Sequence, residues 1–278
     1  MVPILAWLAL TGSIFFPCSF LICTFLLRKW VGIQSTAVQT AVAMRLTSVL
    51  QAFMASVCGW YIVTHCYHDF LYARCWLVDT YMSFGLPYML YDIGAMYASY
   101  HRDAEAKQNA IISKKLTFVP FLNRQKLIIT HHLLVAFVGY PIALFYRNGK
   151  GDFFLGCILL TELSSPFVNL RAILKKFNRT GSNLYRINNA LILLIFFLCR
   201  ILIFPITFWV YSWDKQVYWF QVPWMIPWHC TLGCTIIGGF QLMWYVMFAK
   251  AMWKMHEKGA KVDRNKNLAN GAVGEKSA

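Results

Sequence analysis

The amino-acid sequence predicts an all-α membrane protein with about seven transmembrane helices. Of its 278 residues, 59% are hydrophobic and only 13% are charged, which lies outside the composition of ordinary soluble domains. Apolar runs of about 20 residues or more recur along the chain, and each is long enough to cross the roughly 30 Å hydrocarbon core of a bilayer. The basic residues gather between these runs. A soluble protein is therefore the wrong class.

The first apolar run is predicted to stay in the protein as a membrane helix. No Lys or Arg precedes it, and it is longer than the apolar region of about 7–15 residues typical of a cleaved signal peptide. Trp and Tyr residues gather near several ends of the runs, as expected for rings that prefer the headgroup layer. The predicted spans are Val2 to Leu27, Ala41 to Thr64, Val78 to Tyr100, Leu127 to Tyr146, Phe153 to Leu174, Asn189 to Ser212 and Trp224 to Met252.

The basic residues also predict the orientation of the helices. Of the 26 Lys and Arg residues, 21 flank or follow spans one, three, five and seven, four lie in the other connections, and Arg200 lies inside a span. Because basic residues favour the cytosolic side, the amino terminus is predicted to be lumenal or exterior and the basic carboxyl tail cytosolic. The net charge of +15 thus reflects topology, and no nucleic-acid partner is expected.

Five ionisable residues fall inside the predicted spans, where a charge costs at least about 2.5–3.5 kcal/mol on insertion scales. Each is a candidate functional group unless a partner inside the protein neutralises it. At a helical rise of about 1.5 Å per residue, their depths range from roughly 8 Å to roughly 21 Å below the basic edge. The five are Asp92, His131, His132, Glu162 and Arg200.

The neighbours of Glu162 predict a polar cavity. Glu162, Ser165, Pro166 and Asn169 share one helical face because they are three, four and seven residues apart. Pro166 cannot donate a backbone hydrogen bond to Glu162, so the helix is expected to break there. Such a break is tolerated where it lines a cavity or packs inside the protein. A structural ion pair of Arg200 with Asp92 or Glu162 stays open as the alternative.

The adjacent histidines predict acid–base chemistry rather than a metal site. Neighbouring side chains on a helix diverge by about 100°, so His131 and His132 cannot bind one metal in the usual i, i+4 manner. One imidazole can face a cavity as a general base while the other packs against a neighbouring helix, and a nearby carboxylate would orient the base. Contact with lipid headgroups stays open as the alternative. Neither a metal nor a bound cofactor is expected.

These residues lie in stretches that resemble the TLC domain family, and specifically its ceramide-synthase-like branch, the TLC domain-containing protein 3 group. The order and spacing of the stretches carry the resemblance, which extends over most of the chain. The stretches are Pro87 to Met96, Ile129 to Leu133, Gly151 to Cys157, Thr161 to Val168 and Cys199 to Pro205.

The resemblance implies a six-helix barrel around a lipid-sized cavity, preceded here by one additional amino-terminal helix. His131 and His132 match the histidine pair of ceramide synthases, which join a fatty acyl-CoA to a sphingoid base. Asp92 and Glu162 match positions typical of the wider family. Where ceramide synthases carry paired aspartates, this chain has Glu162-Leu-Ser-Ser-Pro166, and it lacks their homeobox-like segment.

The resemblance therefore implies ceramide synthesis by N-acylation of a sphingoid base, with acyl-CoA as co-substrate. His131, His132 and Asp92 are the expected catalytic residues. A non-catalytic lipid-binding or membrane-lipid-regulating protein stays open, because family members without the aspartates include such proteins. Topology alone also accounts for the basic residues nearest the histidines. The expected substrate-binding residues are Glu162, Asn169 and Arg200, together with Lys114, Lys115, Arg124 and Lys126 for the phosphates of CoA.

Three regions follow from this interpretation. Residues 1–30 form the amino-terminal transmembrane helix, residues 31–253 the TLC domain, and residues 254–278 a disordered basic cytosolic tail. Membrane lipids, the sphingoid base and fatty acyl-CoA are the expected partners, and a homo-oligomer stays open. The expected location is the endoplasmic reticulum or Golgi membrane, with the plasma membrane as the alternative.

Overall fold

The computed structural model describes residues 2–108 and 113–274, and every regular element in these ranges is helical. Six helical segments are long and apolar enough to cross a membrane, and the helix Trp76–Gln108 is as long as they are but more polar. Together they confirm the predicted fold class of about seven membrane helices. The α-helices are α1 (Val2–Lys29), α2 (Thr36–Cys66), α3 (Trp76–Gln108), α4 (Lys114–Leu134), α5 (Asp152–Leu160), α6 (Ser165–Lys176), α7 (Asn183–Phe196), α8 (Ile203–Lys215), the short α9 (Val222–Met225) and α10 (Trp228–Gly274).

Several spans contain a break in the α-helix. After α4 the fourth span continues through the π-helical turns Val135–Gly139 and Ile142–Tyr146, which flank Pro141. The fifth span passes from α5 to α6 through the 3₁₀ turn Thr161–Ser164, and the sixth passes from α7 to α8 through the π turn Phe197–Ile201. Each break lies close to a proline, which removes one backbone donor from the helix.

The break predicted at Pro166 is confirmed. Pro166 occupies the start of α6, and the 3₁₀ turn precedes it directly. The backbone N–H of Ser165 donates to the carbonyl of Glu162, so this carbonyl keeps a partner without a donor from Pro166. In the sixth span, Pro205 likewise stands four residues after the last residue of the π turn.

Six spans form a ring and α1 packs outside it. Starting from α3, the ring runs through α2, the α5–α6 span and the α7–α8 span to α10. The His131 ring on α4 closes it, because it lies 4.9 Å from the Trp244 ring on α10 while α4 packs on α3. α1 packs on α2 and α3. This arrangement is the predicted six-helix barrel with one additional amino-terminal helix.

Ion pairs and hydrogen bonds join the helices at the end of the barrel that is predicted to be lumenal. The carboxylate of Asp152 is fully buried and accepts hydrogen bonds from Arg147 and from the backbone N–H of Cys75, the latter at 2.7 Å. Arg147 also donates to Asp79 at 2.6 Å, and Arg74 donates to Asp79 at 3.0 Å. These bonds join the starts of α3 and α5 to the end of the fourth span.

The connections differ in two places from the sequence expectation. α4 begins at Lys114, so the basic residues expected in a long loop between residues 102 and 126 lie on helices instead. The last span begins at Trp228 rather than at Trp224, because the residue before a proline is biased to extended backbone. Ile226, which precedes Pro227, has this conformation, with φ −77° and ψ 154°.

The backbone of α10 stays helical to Gly274, whereas the composition predicts an irregular tail after Lys254. Glu257, Lys258, Ala260 and Lys261 lie in the first part of this segment, and their high helix propensity favours its continuation. Residues 275–278 of the expected tail lie outside the described residues. The domain boundaries stay predictions.

Replacing Gly59 with Ala is expected to destabilise the barrel. An added Cβ would lie 2.7 Å from the Gly156 carbonyl oxygen and 3.0 Å from the Leu159 Cβ, so α2 and α5 would have to separate. We expect a loss of about 1–3 kcal/mol in the free energy of unfolding, measured as a lower thermal midpoint in detergent. Gly94→Ala on α3 is the matched control, because its Cβ would meet nothing within 4 Å. Equal midpoints for the two variants would contradict this close packing.

Candidate functional site

Asp92 and His132 form a buried ion pair between α3 and the fourth span. The Asp92 Oδ2 atom lies 3.2 Å from the His132 Nε2 atom. Asp92 is 7% exposed and His132 is 8% exposed. A carboxylate inside a membrane helix therefore has a partner on the neighbouring helix, as expected for an intramembrane charge.

Both ring nitrogens of His132 are occupied. Its Nδ1 atom lies 2.8 Å from the carbonyl oxygen of Ile128 and must carry a proton, because a carbonyl can only accept. Its Nε2 atom faces the carboxylate of Asp92, and the two share a proton in this contact. His132 is thus fixed in orientation and has no free lone pair to accept a further proton.

His131 points towards α10 instead. Its ring contacts the Trp244 ring edge-on at 4.9 Å and the Phe240 ring at 5.8 Å. It also contacts the His132 ring edge-on at 5.8 Å. The two adjacent side chains therefore point in different directions, as the helix geometry predicts. His132 lies between two hydrogen-bond acceptors, and His131 lies among aromatic rings.

Arg200 joins three parts of the barrel. Its Nε atom donates to the Thr161 carbonyl at 2.8 Å and to Ser164 Oγ at 2.7 Å, both in the 3₁₀ turn. One terminal nitrogen donates to Ser165 Oγ at 2.7 Å, and the other donates to Gln241 Oε1 on α10 at 3.2 Å. Arg200, which is 8% exposed, thus connects the π turn of the sixth span to the fifth span and to α10 through its guanidinium.

Glu162 is the acidic partner of Arg200. Its Oε2 atom lies 3.3 Å from the Arg200 guanidinium and accepts a hydrogen bond from Ser165. About a quarter of the Glu162 side chain is accessible, compared with 9% for Arg200. The structure therefore contains the Glu162–Arg200 pair that the sequence left open, while Asp92 pairs with His132.

A polar chain continues from this pair towards the basic end. Asn169 donates to the Ser165 carbonyl at 3.0 Å and to Ser48 Oγ on α2 at 3.1 Å. Its own Oδ1 atom accepts a hydrogen bond from Arg45 at 3.3 Å. Asn169 is only 4% exposed, so these bonds satisfy a buried amide. The chain extends the cluster from the membrane interior to α2.

The membrane-embedded candidates converge on one interior cluster. His132 lies within electrostatic range of Glu162, and His131 lies within that of Arg200. The basic candidates do not belong to this cluster: Lys115, Arg124 and Lys126 are exposed on α4, and the side chain of Lys114 is outside the described residues. In the described part of the chain, no three His, Cys, Asp or Glu side chains are grouped so that they could hold a metal ion.

Two parts of the cluster are not predicted from the sequence. Gln241 is 3% exposed and accepts a hydrogen bond from Arg200. In the sequence, the feature that could have indicated this role is one amide side chain within a mostly apolar run. Arg45, which the sequence placed only as a topology signal, donates to Asn169. Neither role follows from helical spacing, because both partners lie on other spans.

The chain matches one known protein family over most of its length. The TLC domain family model matches residues 42–250, which are most of the chain and include every residue of the interior cluster. The chain therefore belongs to the TLC domain family. It is an integral membrane protein, and its TLC domain indicates a function related to membrane lipids. The particular branch of the family stays a prediction.

Replacing Arg200 with Leu should reduce the amount of folded protein. The change strands the carboxylate of Glu162 inside the barrel and breaks the hydrogen bonds to the 3₁₀ turn, and breaking a buried ion pair costs about 3–5 kcal/mol. Adding Glu162→Leu should restore part of the loss, as read from the monodisperse peak in detergent chromatography. Arg186→Leu, at an exposed arginine of α7, is the control. Independent, additive losses from the two changes would argue against direct pairing.

Proposed function

We propose that the protein makes ceramide by transferring a fatty acyl group from acyl-CoA to the amine of a sphingoid base. One observation supports this most directly: both nitrogens of His132 are occupied, and His131 is set beside it in the same interior. A histidine held in place next to a second imidazole suits general acid–base chemistry at neutral pH. The TLC domain supports a lipid substrate.

In the proposed reaction, His131 is the general base. It takes a proton from the attacking amine as the amine nitrogen bonds to the thioester carbonyl carbon. The carbon–sulfur bond breaks, and the proton passes to the departing thiolate. The products are an amide, which is the ceramide, and the free thiol of CoA. Asp92 and His132 are positioning residues in this scheme, because their contacts fix the backbone turn and the ring next to His131.

The acyl donor would enter from the basic end. Lys115, Arg124 and Lys126 lie exposed on α4, between about 1.4 and 4.4 helical turns before His131, where they would attract the phosphates of CoA. The opposite end carries the buried Asp152 cluster, which favours one-sided access. We place this basic end in the cytosol, where acyl-CoA is soluble, and the protein in the endoplasmic reticulum or Golgi membrane.

Glu162, Asn169 and Arg200 would bind the two substrates beside the histidines, with Arg200 serving the acyl donor. The accessible quarter of the Glu162 side chain offers a carboxylate to the amine or hydroxyl groups of the sphingoid base. Because Glu162 is already paired with Arg200, it would bind rather than take up a proton. This assignment gives a different role to the region in which ceramide synthases carry paired aspartates.

His131→Ala should nearly abolish ceramide formation, because a general base typically contributes about 10²- to 10⁴-fold to the rate. His132→Ala should lower the thermal midpoint more than His131→Ala does, because it leaves the buried Asp92 unpaired. The measurement is acyl-CoA-dependent ceramide and free thiol, in membranes that lack their own ceramide synthases. His65→Ala, at an exposed residue on α2, is the control. Full activity in both single variants and in the double variant would contradict the role of the histidines. No acyl-CoA-dependent ceramide from the wild-type protein would leave the interior cluster as a non-catalytic lipid-binding site.

A further inference from the structure

A groove lies between the π turn and α8 of the sixth span on one side and α10 on the other. Its volume is about 340 Å³, within the range of small-molecule sites. Arg200 forms its inner end, and its rim includes Leu242, which is 55% exposed. The residues that line it include Arg200, Phe204, Phe208, Thr231, Gly238 and Leu242.

The walls of the groove are mostly apolar, and the hydroxyl groups in them are bonded to backbone carbonyls. Phe204 and Phe208 are one helical turn apart on α8 and present their rings to it. Thr231 Oγ1 donates to the Pro223 carbonyl at 2.7 Å, and Thr235 Oγ1 donates to the Thr231 carbonyl at 2.8 Å. Because these hydroxyl groups are already satisfied by the backbone, the walls favour a hydrocarbon chain over a polar molecule.

The inner end of the groove has a hydrogen-bond donor to spare. A guanidinium carries five N–H donors. In the described part of the chain, the Nε donor of Arg200 bonds in the 3₁₀ turn, one terminal nitrogen faces Ser165 and Glu162, and the other bonds to Gln241. Gln241 can take only one of the two N–H groups on that nitrogen. The remaining N–H is available to an acceptor that enters from the groove.

We propose that this groove holds the hydrocarbon chain of a fatty acyl-CoA, with the thioester carbonyl oxygen accepting a hydrogen bond from Arg200. The proposal rests on the proposed function and names the subsite for one of its two substrates. The positive charge of Arg200 would repel the ammonium group of a sphingoid base, whereas a carbonyl oxygen is an acceptor. The same charge would stabilise the negative oxygen that forms during acyl transfer.

The direction of the groove fits an acyl donor that enters from the basic end. From Arg200 the groove runs along Phe204 and Phe208 on α8, and from Leu242 back to Thr231 on α10. Both paths lead away from the basic end. The α10 wall from Leu242 to Thr231 is about 16 Å long at about 1.5 Å per residue. The CoA headgroup would stay near the exposed lysines of α4 while the chain lies in the groove.

Gly238 offers a direct way to block the groove. An added Cβ there would lie 4.0 Å from Phe204 Cδ2, an ordinary contact, so a larger side chain would fill the groove without a backbone clash. Gly239 is the next residue on α10, points about 100° away, and would meet nothing within 4 Å. Gly238→Leu is therefore the blocking variant and Gly239→Leu its matched control. Both changes raise helix propensity equally.

The test is photo-crosslinking of the full chain in phosphatidylcholine vesicles. One arm uses palmitoyl-CoA with a diazirine in the middle of the chain, and the other uses phosphatidylcholine carrying the same chain at the same mole fraction. The labelled residues are located by peptide mass spectrometry. We expect palmitoyl-CoA to label the groove residues on α8 and α10 at least fivefold more than phosphatidylcholine does. Gly238→Leu should reduce this labelling at least fivefold, and Gly239→Leu should leave it within twofold.

The outcomes separate this inference from the proposed function. Equal labelling by the two probes, or labelling that Gly238→Leu leaves unchanged, would overturn the groove as an acyl site and leave it as a surface for bulk lipid. Labelling with the expected pattern but without ceramide formation would support the groove and overturn N-acylation. Gly238→Ala, which adds only one methyl group at contact distance, should keep the wild-type labelling and shows whether loss in Gly238→Leu reflects steric filling.

Discussion

The guanidinium of Arg200 is the interaction on which the interior of this barrel depends. A cation near the middle of a membrane needs acceptors within the protein. Arg200 finds them on the fifth span, through Thr161, Ser164 and Glu162, and on α10, through Gln241. Removing it would therefore loosen the contacts among three of the six spans of the ring. The aromatic contact with Phe196, at 5.1 Å, adds a further constraint on its position.

The breaks in the helices follow from the same requirement. A regular α-helix hides its carbonyl groups in its own hydrogen bonds, whereas the 3₁₀ turn Thr161–Ser164 leaves the Thr161 carbonyl able to accept from Arg200. The π turn Phe197–Ile201 sets Arg200 in the sixth span opposite this turn. Proline near each turn removes the backbone donors that would restore a regular helix. The 3₁₀ turn of the fifth span and the buried charge of Arg200 in the sixth span thus stabilise each other.

The sequence predicted the fold class and three of the buried ionisable residues, Asp92, His132 and Arg200, because long apolar runs and rare charges within them are local signals. It also predicted the break at Pro166. It could not assign partners, because pairing depends on which spans are neighbours in the ring: Asp92 pairs with His132 across α3 and α4, and Gln241 meets Arg200 from α10. The polar contacts at the start of α5 were missed for the same reason. Asp152 and Arg147 are close in sequence, but their shared partner Asp79 is not.

The different environments of the two adjacent histidines are the central claim, and ¹⁵N NMR of the histidine-labelled protein in nanodiscs tests it most directly. The account predicts that His132 is protonated at Nδ1 and shares a proton with Asp92 at Nε2, whereas His131 keeps one unprotonated nitrogen at pH 7.5. Asp92→Asn should then change the signals of His132 far more than those of His131. An unprotonated Nδ1 on His132, or equal responses of both rings to Asp92→Asn, would contradict the account.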